Sequence, residues 1–345
     1  MTDLSTAATI PADWYLDVEM LETERRTVFS STWQLAAHLD QLAEPGAYVS
    51  TEIAGEPVLI ARGRDGELRA MSNVCRHRAG PVVTGNGTCR SFRCGYHGWV
   101  YGLDGQLLAT REFEGVEHFE KSDHPLPRWN VGTWGPLVFV KLNDDGPSLA
   151  ETFAGITERV ELGDLDSFQF AHRKDWTMDC NWKVYVDNFL EGYHIPIVHP
   201  ALNEELDYEN YRVETLEWFS IQHSPIKSAR RLRVSEDAGD AQYFWIYPNL
   251  MLNVYPDNFS TNLILPLGPD RTITVFEWFF RDPDHARTLI ADTVEFSDEI
   301  QLEDIAICEA VQRGLRSRTY DTGRYSVARE NGVHHFHELL RRSVG

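Results

Sequence analysis

The chain is 345 residues long, 42% hydrophobic and 25% charged, which is a soluble globular composition with room for about two domains. Its formal net charge of −21 repels nucleic-acid phosphate and anionic lipid, and the one dense basic run, Lys227 to Arg233, reads as a solvated strand or loop. Five cysteines without framework spacing argue against a disulfide scaffold, and there is neither a signal peptide nor an apolar run approaching the ~18 residues of a membrane span, so a cytoplasmic location is expected.

Residues 12–33 read as an N-terminal helix, with Leu16, Met20, Val28 and Phe29 among charged positions, packing on something later in the chain. Short β-runs follow at 48–53, 57–61 and 68–74, then two short strands around Asp104-Gly105, and a last run at 136–142. The loop Asn143 to Pro147 closes this small antiparallel β domain, giving a 1–37 helical segment that packs on the C-terminal domain, a 38–145 domain and a 146–345 domain. Beyond the loop, 148–160 is helical in pattern, 168–180 is a strand, and Val184 to Ile195 is a helix stopped by Pro196. Strands are expected at 211–222, 228–234, 242–247, 250–255, 260–266 and 271–281, enough for a substantial antiparallel sheet. Asp284 to Arg318 has helical periodicity, and the last 25 residues read as irregular. The fold class is therefore α+β. His334, His335 and His337 fall in the irregular tail and read as ordinary exposed polar residues.

Two loops carry the first constellation: Cys75-Arg-His77, then sixteen residues, then Cys94-Gly-Tyr-His97. Thiolate and imidazole together suit zinc or an iron–sulfur centre. A Cys2His2 zinc site groups its cysteines at one end and its histidines at the other. Here each loop contributes one of each, which favours a [2Fe–2S] cluster with Cys75 and Cys94 on one iron and His77 and His97 on the other.

The second constellation is Asp187-Asn188-Phe-Leu-Glu191-Gly-Tyr-His194, followed by His199 after the proline break. On a helix Glu191 and His194 share a face and Asp187 stands one turn earlier, so Asp187, Asn188 and Glu191 are the catalytic candidates. His194 and His199 supply two corners of a 2-His-1-carboxylate site for non-haem Fe(II). The third corner is sought on the long helix, where Ile300, Asp304, Cys308, Val311 and Leu315 form one stripe with Asp304 its single acid. A carboxylate on a buried stripe binds metal or pairs with a cation. Glu295, Asp298, Glu299 and Glu303 fall off the stripe and read as solvated.

Together these motifs resemble the catalytic α-subunit of Rieske non-haem iron oxygenases over about 38–320, closest to the choline, glycine betaine and carnitine monooxygenase branch. The chain carries Ala79 where many members have glycine. The resemblance implies a Rieske β domain inserted into a helix-grip catalytic domain. It implies a [2Fe–2S] cluster passing electrons to a mononuclear iron on His194, His199 and Asp304, where O2 is activated to hydroxylate a C–H bond or to demethylate an N-methyl group. It also implies a separate NAD(P)H-dependent flavin and iron–sulfur reductase, and a homotrimer in which Glu191, with Asp187 competing, bridges His97 of one chain and His194 of the next. A small quaternary or tertiary ammonium substrate is expected. Tyr243, Trp245 and Tyr247, which share one face of a strand, are the candidate rings around it. The alternatives are an aromatic-ring-hydroxylating dioxygenase and a Rieske electron carrier without catalysis.

Overall fold

The computed structural model describes residues 3–160, 162–228 and 240–345. Two compact units emerge: Phe29–Leu149, and the N-terminal residues through Val28 joined to Ala150–Gly345.

The Phe29–Leu149 unit holds a seven-stranded antiparallel sheet in the order β1-β10-β9-β4-β3-β2-β5. Its strands are β1 Gln34–His38, β2 Ala47–Ile53, β3 Glu56–Arg62, β4 Leu68–Ser72, β5 Asn86–Thr88, β9 Arg128–Trp134 and β10 Leu137–Lys141. A three-stranded sheet of β6 Phe92–Arg93, β7 Val100–Tyr101 and β8 Leu107–Ala109 carries the second Cys/His loop. β3 is apolar on both faces because it separates two cores: Leu59 and Ala61 pack with Met71, Trp99 and Tyr101, whereas Val58 and Ile60 pack with Val138 and Val140. The unit starts at Phe29 rather than at 38 because Gln34–His38 is a strand paired with β10.

The larger unit is built on a second seven-stranded antiparallel sheet, ordered β11-β17-β16-β15-β14-β13-β12. Its strands are β11 Gln169–Met178, β12 Arg212–Thr215, β13 Phe219–Pro225, β14 Asp240–Ile246, β15 Leu250–Tyr255, β16 Asn258–Gly268 and β17 Arg271–Phe280. The helices are α1 Asp13–Leu16, α2 Val18–Glu24, α3 Leu149–Thr152, α4 Trp182–Phe189, α5 Ile195–Val198, α6 Pro200–Glu205, α7 Arg287–Leu315 and α8 Asn331–Val344. α4 packs on α7 and on β16, and α7 also reaches β11, so a sheet gripping a helical layer is the observed architecture. No helix among the described residues is long and apolar enough to cross a membrane.

Several elements differ from the sequence reading for identifiable reasons. The N-terminal helix breaks at Asp17, whose carboxylate caps α2 by accepting the Glu19 N–H at 2.9 Å. Helix α3 covers only the first turn of the expected 148–160 helix. The expected 211–222 strand is two, β12 and β13, folded about a turn closed by the Leu216 N–H donating to the Phe219 carbonyl at 2.8 Å. The expected 228–234 strand and most of the basic run lie outside the described residues. Of the last 25 residues only the first ten are irregular, since α8 follows at Asn331 and buries every residue from Gly332 to Leu340, including all three histidines.

The N-terminal segment is bound to α4 by buried polar groups. Glu24 and Lys183, both fully buried, pair at 2.6 Å, and the second Glu24 oxygen accepts the Trp182 indole N–H at 2.8 Å. The Tyr15 hydroxyl donates to Asp187 Oδ2 at 2.6 Å.

Candidate metal centres and cavity

In the smaller unit, Cys75 and Cys94 are buried at the bases of their loops, and the His77 and His97 ring centroids are 4.6 Å apart. Each loop is a tight turn closed by backbone bonds on its cysteine: Ala79 N–H to the Cys75 carbonyl at 3.0 Å, and Gly98 N–H to the Cys94 carbonyl at 3.0 Å. Both turns need a left-handed residue, with φ of 54° at Ala79 and 73° at Gly98. That explains why glycine suits position 79, where alanine costs about 1 kcal/mol. His77 stacks on Trp99 at 4.8 Å and 7°, and the Tyr101 hydroxyl is 3.3 Å from Cys75 Sγ. His77 Nδ1 is buried with no protein partner, and burial raises the Cys94 thiol, which has the Cys75 sulfur beside it. An orphaned buried imidazole nitrogen on one loop, with a buried cysteine sulfur from each loop, is a donor set that an iron–sulfur centre satisfies.

In the larger unit, α4 is capped by Asn181, whose side chain accepts the Lys183 N–H at 3.0 Å, and it ends at Phe189. Glu191 and His194 therefore lie in a turn, not on the expected helix to Ile195. Gly192 permits that turn, because a Cβ there would meet the Tyr211 ring at 2.7 Å. Glu191 folds back over the turn: its Oε1 lies 2.7 Å from His194 Nδ1, and its Oε2 accepts the Tyr193 and His194 N–H groups. Pro196 and Pro200 lie in the first turns of α5 and α6, and His199 sits at the corner between them.

His194 Nε2 is 3.1 Å from His199 Nε2, and Asp304 Oδ1 is 3.0 Å from His199 Nε2 and 3.7 Å from His194 Nε2. One ligand atom from each residue thus converges within 4.8 Å. With Glu191 and Glu303 accepting at the two Nδ1 atoms, the two Nε2 atoms face each other as acceptors without a proton between them, an arrangement a divalent metal satisfies. Burial works against a charged His199, but Asp304 and Glu303 outweigh it and raise its pKa, so the site favours positive charge. Asn188 Nδ2 donates to Asp304 Oδ1 at 2.6 Å.

The buried stripe of α7 is Gln301, Asp304, Cys308, Gln312 and Leu315, and the expected member Val311 is 45% exposed. Glu303, expected to be solvated, instead sits 2.7 Å from His199 Nδ1, while Asp298 pairs with Lys174. Each histidine therefore has its own carboxylate, Glu191 on His194 and Glu303 on His199. Asp187 stays outside the cluster, held by Tyr15 and by His337 Nε2 at 2.9 Å, with Tyr325 closing the chain on His337 Nδ1 at 2.7 Å.

A cavity of about 130 Å³ opens at the three converging residues. Of the expected rings only Tyr243 lines it; it is joined by Tyr211, Tyr255, Phe276, Trp278 and Phe296. Trp245 and Tyr247 face α8 instead, Trp245 against Phe336 at 5.3 Å and Tyr247 bonded to Ser343 Oγ at 2.8 Å. The same sheet face is covered by α8 at one end and lines the cavity at the other. The alternation of Phe276 and Trp278 along β17 is a legible signal for those two of the added rings.

Residues 32–120 match the family model described as the Rieske [2Fe-2S] domain, and residues 165–345 match that described as the ring hydroxylating alpha subunit, catalytic domain. The chain is 36% identical to the chloroplastic choline monooxygenase of Arabidopsis thaliana over 99% of its length and 84% of the relative's. It is 31% identical to the carnitine monooxygenase oxygenase subunit of Escherichia coli K12, covering 97% of this chain and 93% of that one. Among solved structures, the quaternary ammonium Rieske monooxygenase CntA in complex with L-carnitine superposes with a TM-score of 0.87 at 27% identity over 99% and 97% of the two chains. A naphthalene 1,2-dioxygenase, at 18% identity and a TM-score of 0.82 over 99% and 94%, shares the fold.

Proposed function

The chain belongs to the Rieske non-haem iron oxygenases, enzymes that hold a [2Fe–2S] cluster and a mononuclear iron, and from that premise we propose that it oxygenates a small quaternary ammonium compound. The observation that carries the substrate reading is the cavity itself, where Tyr211, Tyr243, Tyr255, Phe276 and Trp278 stand around a space ending at His194, His199 and Asp304. Rings on several sides attract a methylated cation by about 0.5–2 kcal/mol each when desolvated. The carboxylates of Glu191 and Asp304 add a field of the same sign. Relatives named for choline and carnitine support the same substrate class.

In this reading Cys75, Cys94, His77 and His97 hold the cluster, and His194, His199 and Asp304 hold the iron. Iron, when bound there, supplies the activation of O2. Overall, one C–H bond becomes C–OH, O2 and two electrons with two protons are consumed, and water leaves. At an N-methyl group the product is a hemiaminal that separates into formaldehyde and the demethylated amine. The chain's own residues place the substrate: the rings orient the ammonium, Asn188 fixes Asp304, and Glu191 and Glu303 fix the tautomers of the two histidines so that each Nε2 faces the cavity. Its place on His194 Nδ1 supports reading Glu191, with Asp187 the competing choice, as the carboxylate that would bridge His194 and His97 of the partner subunit in a homotrimer. A separate NAD(P)H-dependent reductase supplies those electrons. Five cysteines with no disulfide among them suit a reducing compartment such as the cytoplasm.

The test separates charge from shape. Uptake of O2 is compared for a trimethylammonium substrate and its neutral tert-butyl isostere, in wild type and in Trp278→Leu. The wild type should prefer the ammonium by well over tenfold, about 1.4 kcal/mol, and the variant should lose much of that preference. Equal rates for the pair would overturn the ammonium reading, and brisk dihydroxylation of a simple aromatic acid would replace it with the ring-dioxygenase alternative.

A further inference from the structure

We propose that the cavity selects a methylammonium compound whose far end is an uncharged hydroxyl, and disfavours one that ends in a carboxylate. The inference rests on the ammonium reading above and adds the chemistry of the other end of the substrate.

The cross-strand register sets the polar floor. Tyr243 pairs with Asn253, Asn253 with Ser260, and Ser260 with Trp278, so one row across β14, β15, β16 and β17 places two small polar residues between two rings. Asn262, two residues along β16 from Ser260 and paired with Phe276, extends the polar patch on the same face. All of these side chains line the cavity. Asn253 Nδ2 donates to Ser260 Oγ at 3.1 Å and to Asn262 Oδ1 at 3.2 Å. That arrangement uses the Asn253 amino group and the Asn262 carbonyl. It leaves toward the cavity an acceptor, Asn253 Oδ1, and a donor, Asn262 Nδ2.

An acceptor beside a donor complements an alcohol, which gives one hydrogen bond and takes another. A carboxylate can only accept, so it meets the Asn253 carbonyl without compensation. Apart from iron held by His194, His199 and Asp304, it also meets no counter-charge: among the described residues the cavity lining includes no lysine or arginine, and its ionisable groups other than the two histidines and the tyrosines are the acids Glu191 and Asp304. The nearby Arg329 is not among the lining residues and is engaged elsewhere, over the Tyr208 ring at 4.3 Å with its Nη1 donating to the Tyr208 and Tyr211 carbonyls at 3.2 Å. A desolvated carboxylate without a cation is strongly disfavoured.

Calorimetric titration of the cluster- and iron-loaded protein with choline, glycine betaine and 3,3-dimethylbutan-1-ol distinguishes the possibilities. Choline should bind at least tenfold tighter than glycine betaine and also tighter than the neutral alcohol. Glycine betaine binding as well as choline would overturn the hydroxyl inference and leave the ammonium reading standing. Choline and 3,3-dimethylbutan-1-ol binding equally, or no binding by any of the three, would overturn the ammonium reading and this inference with it. In Asn253→Leu, choline should weaken about tenfold while glycine betaine changes less than threefold, and equal weakening of both would count against the assigned floor. If that variant is insoluble, the wild-type comparison decides alone.

Discussion

Replacing Glu24 by leucine should destabilise the larger unit heavily, and the size of the effect should depend on pH in a defined direction. Lys183 and Glu24 are fully buried against each other at 2.6 Å, and burial holds the Lys183 pKa below its ordinary value despite the attraction of Glu24. Without Glu24 the ammonium has two routes. Staying charged and unpaired costs about 3–5 kcal/mol. Losing its proton costs, at pH 7.5, about 2.9 units from a reference pKa near 10.4, or about 4 kcal/mol. The routes agree, and the Trp182 indole N–H, which donates to Glu24 at 2.8 Å, adds about 1–3 kcal/mol when it loses that acceptor. If the folded variant carries a neutral lysine, its unfolded state binds the extra proton, so its stability rises with pH and the lysine share of the deficit falls to about 2 kcal/mol by pH 9. Glu24→Leu with Lys183→Met removes both charges and should recover most of the loss. Denaturant unfolding followed by tryptophan fluorescence measures this, while the visible absorbance of the cluster reports on the other unit. A deficit under about 1 kcal/mol at pH 7.5, or one equally large in the double variant, would refute the reasoning.

Three further outcomes are expected. Glu191→Gln should retain both metal centres and a reducible cluster while single turnover slows by orders of magnitude, whereas Asp187→Asn, which keeps one acceptor oxygen but loses the charge and the second acceptor shared between Tyr15 and His337, should lower stability first; the reverse pattern in single-turnover rates would move the relay to Asp187. Glu303→Leu should weaken iron retention against a chelator about 10–100-fold, with Glu303→Gln affected less because it still accepts from His199 Nδ1; unchanged retention in both would make Glu303 a bystander. His335, held down to about 4 by burial, refuses a proton that the unfolded chain accepts near 6.5, so stability should fall by up to about 3 kcal/mol as pH drops from 6.5 to 4, and His335→Gln should flatten the slope by about one proton.

The first metal centre was legible because its ligands sit on two short loops whose residue order alone distinguishes mixed Cys/His pairs from a zinc arrangement. His194 and His199 were legible for the same reason, being five residues apart around a proline. What escaped was set by distant packing. Glu303 looks solvated from its place on the helix, and only the approach of the His199 corner makes it a partner. Trp245 and Tyr247 share a strand face with Tyr243, and nothing in the strand says that α8 covers one end of that face. The signal for α8 itself was present in Val333, Phe336, Leu339 and Leu340, spaced for one helix face, but the three interleaved histidines obscured it. Helix α4 was read six residues too far, to Ile195 instead of Phe189, because Pro196 is a clearer stop than Gly192, which matters through its contact with Tyr211.

The central claim, two separate iron centres in one chain with Asp304 belonging to the second, is tested most directly by iron and acid-labile sulfide analysis of wild type and Asp304→Ala. The account predicts about three iron and two sulfide per wild-type chain, and about two of each with an intact Rieske absorption spectrum in the variant. Zinc without labile sulfide in the wild type, or a third iron retained at full occupancy in Asp304→Ala, would contradict it.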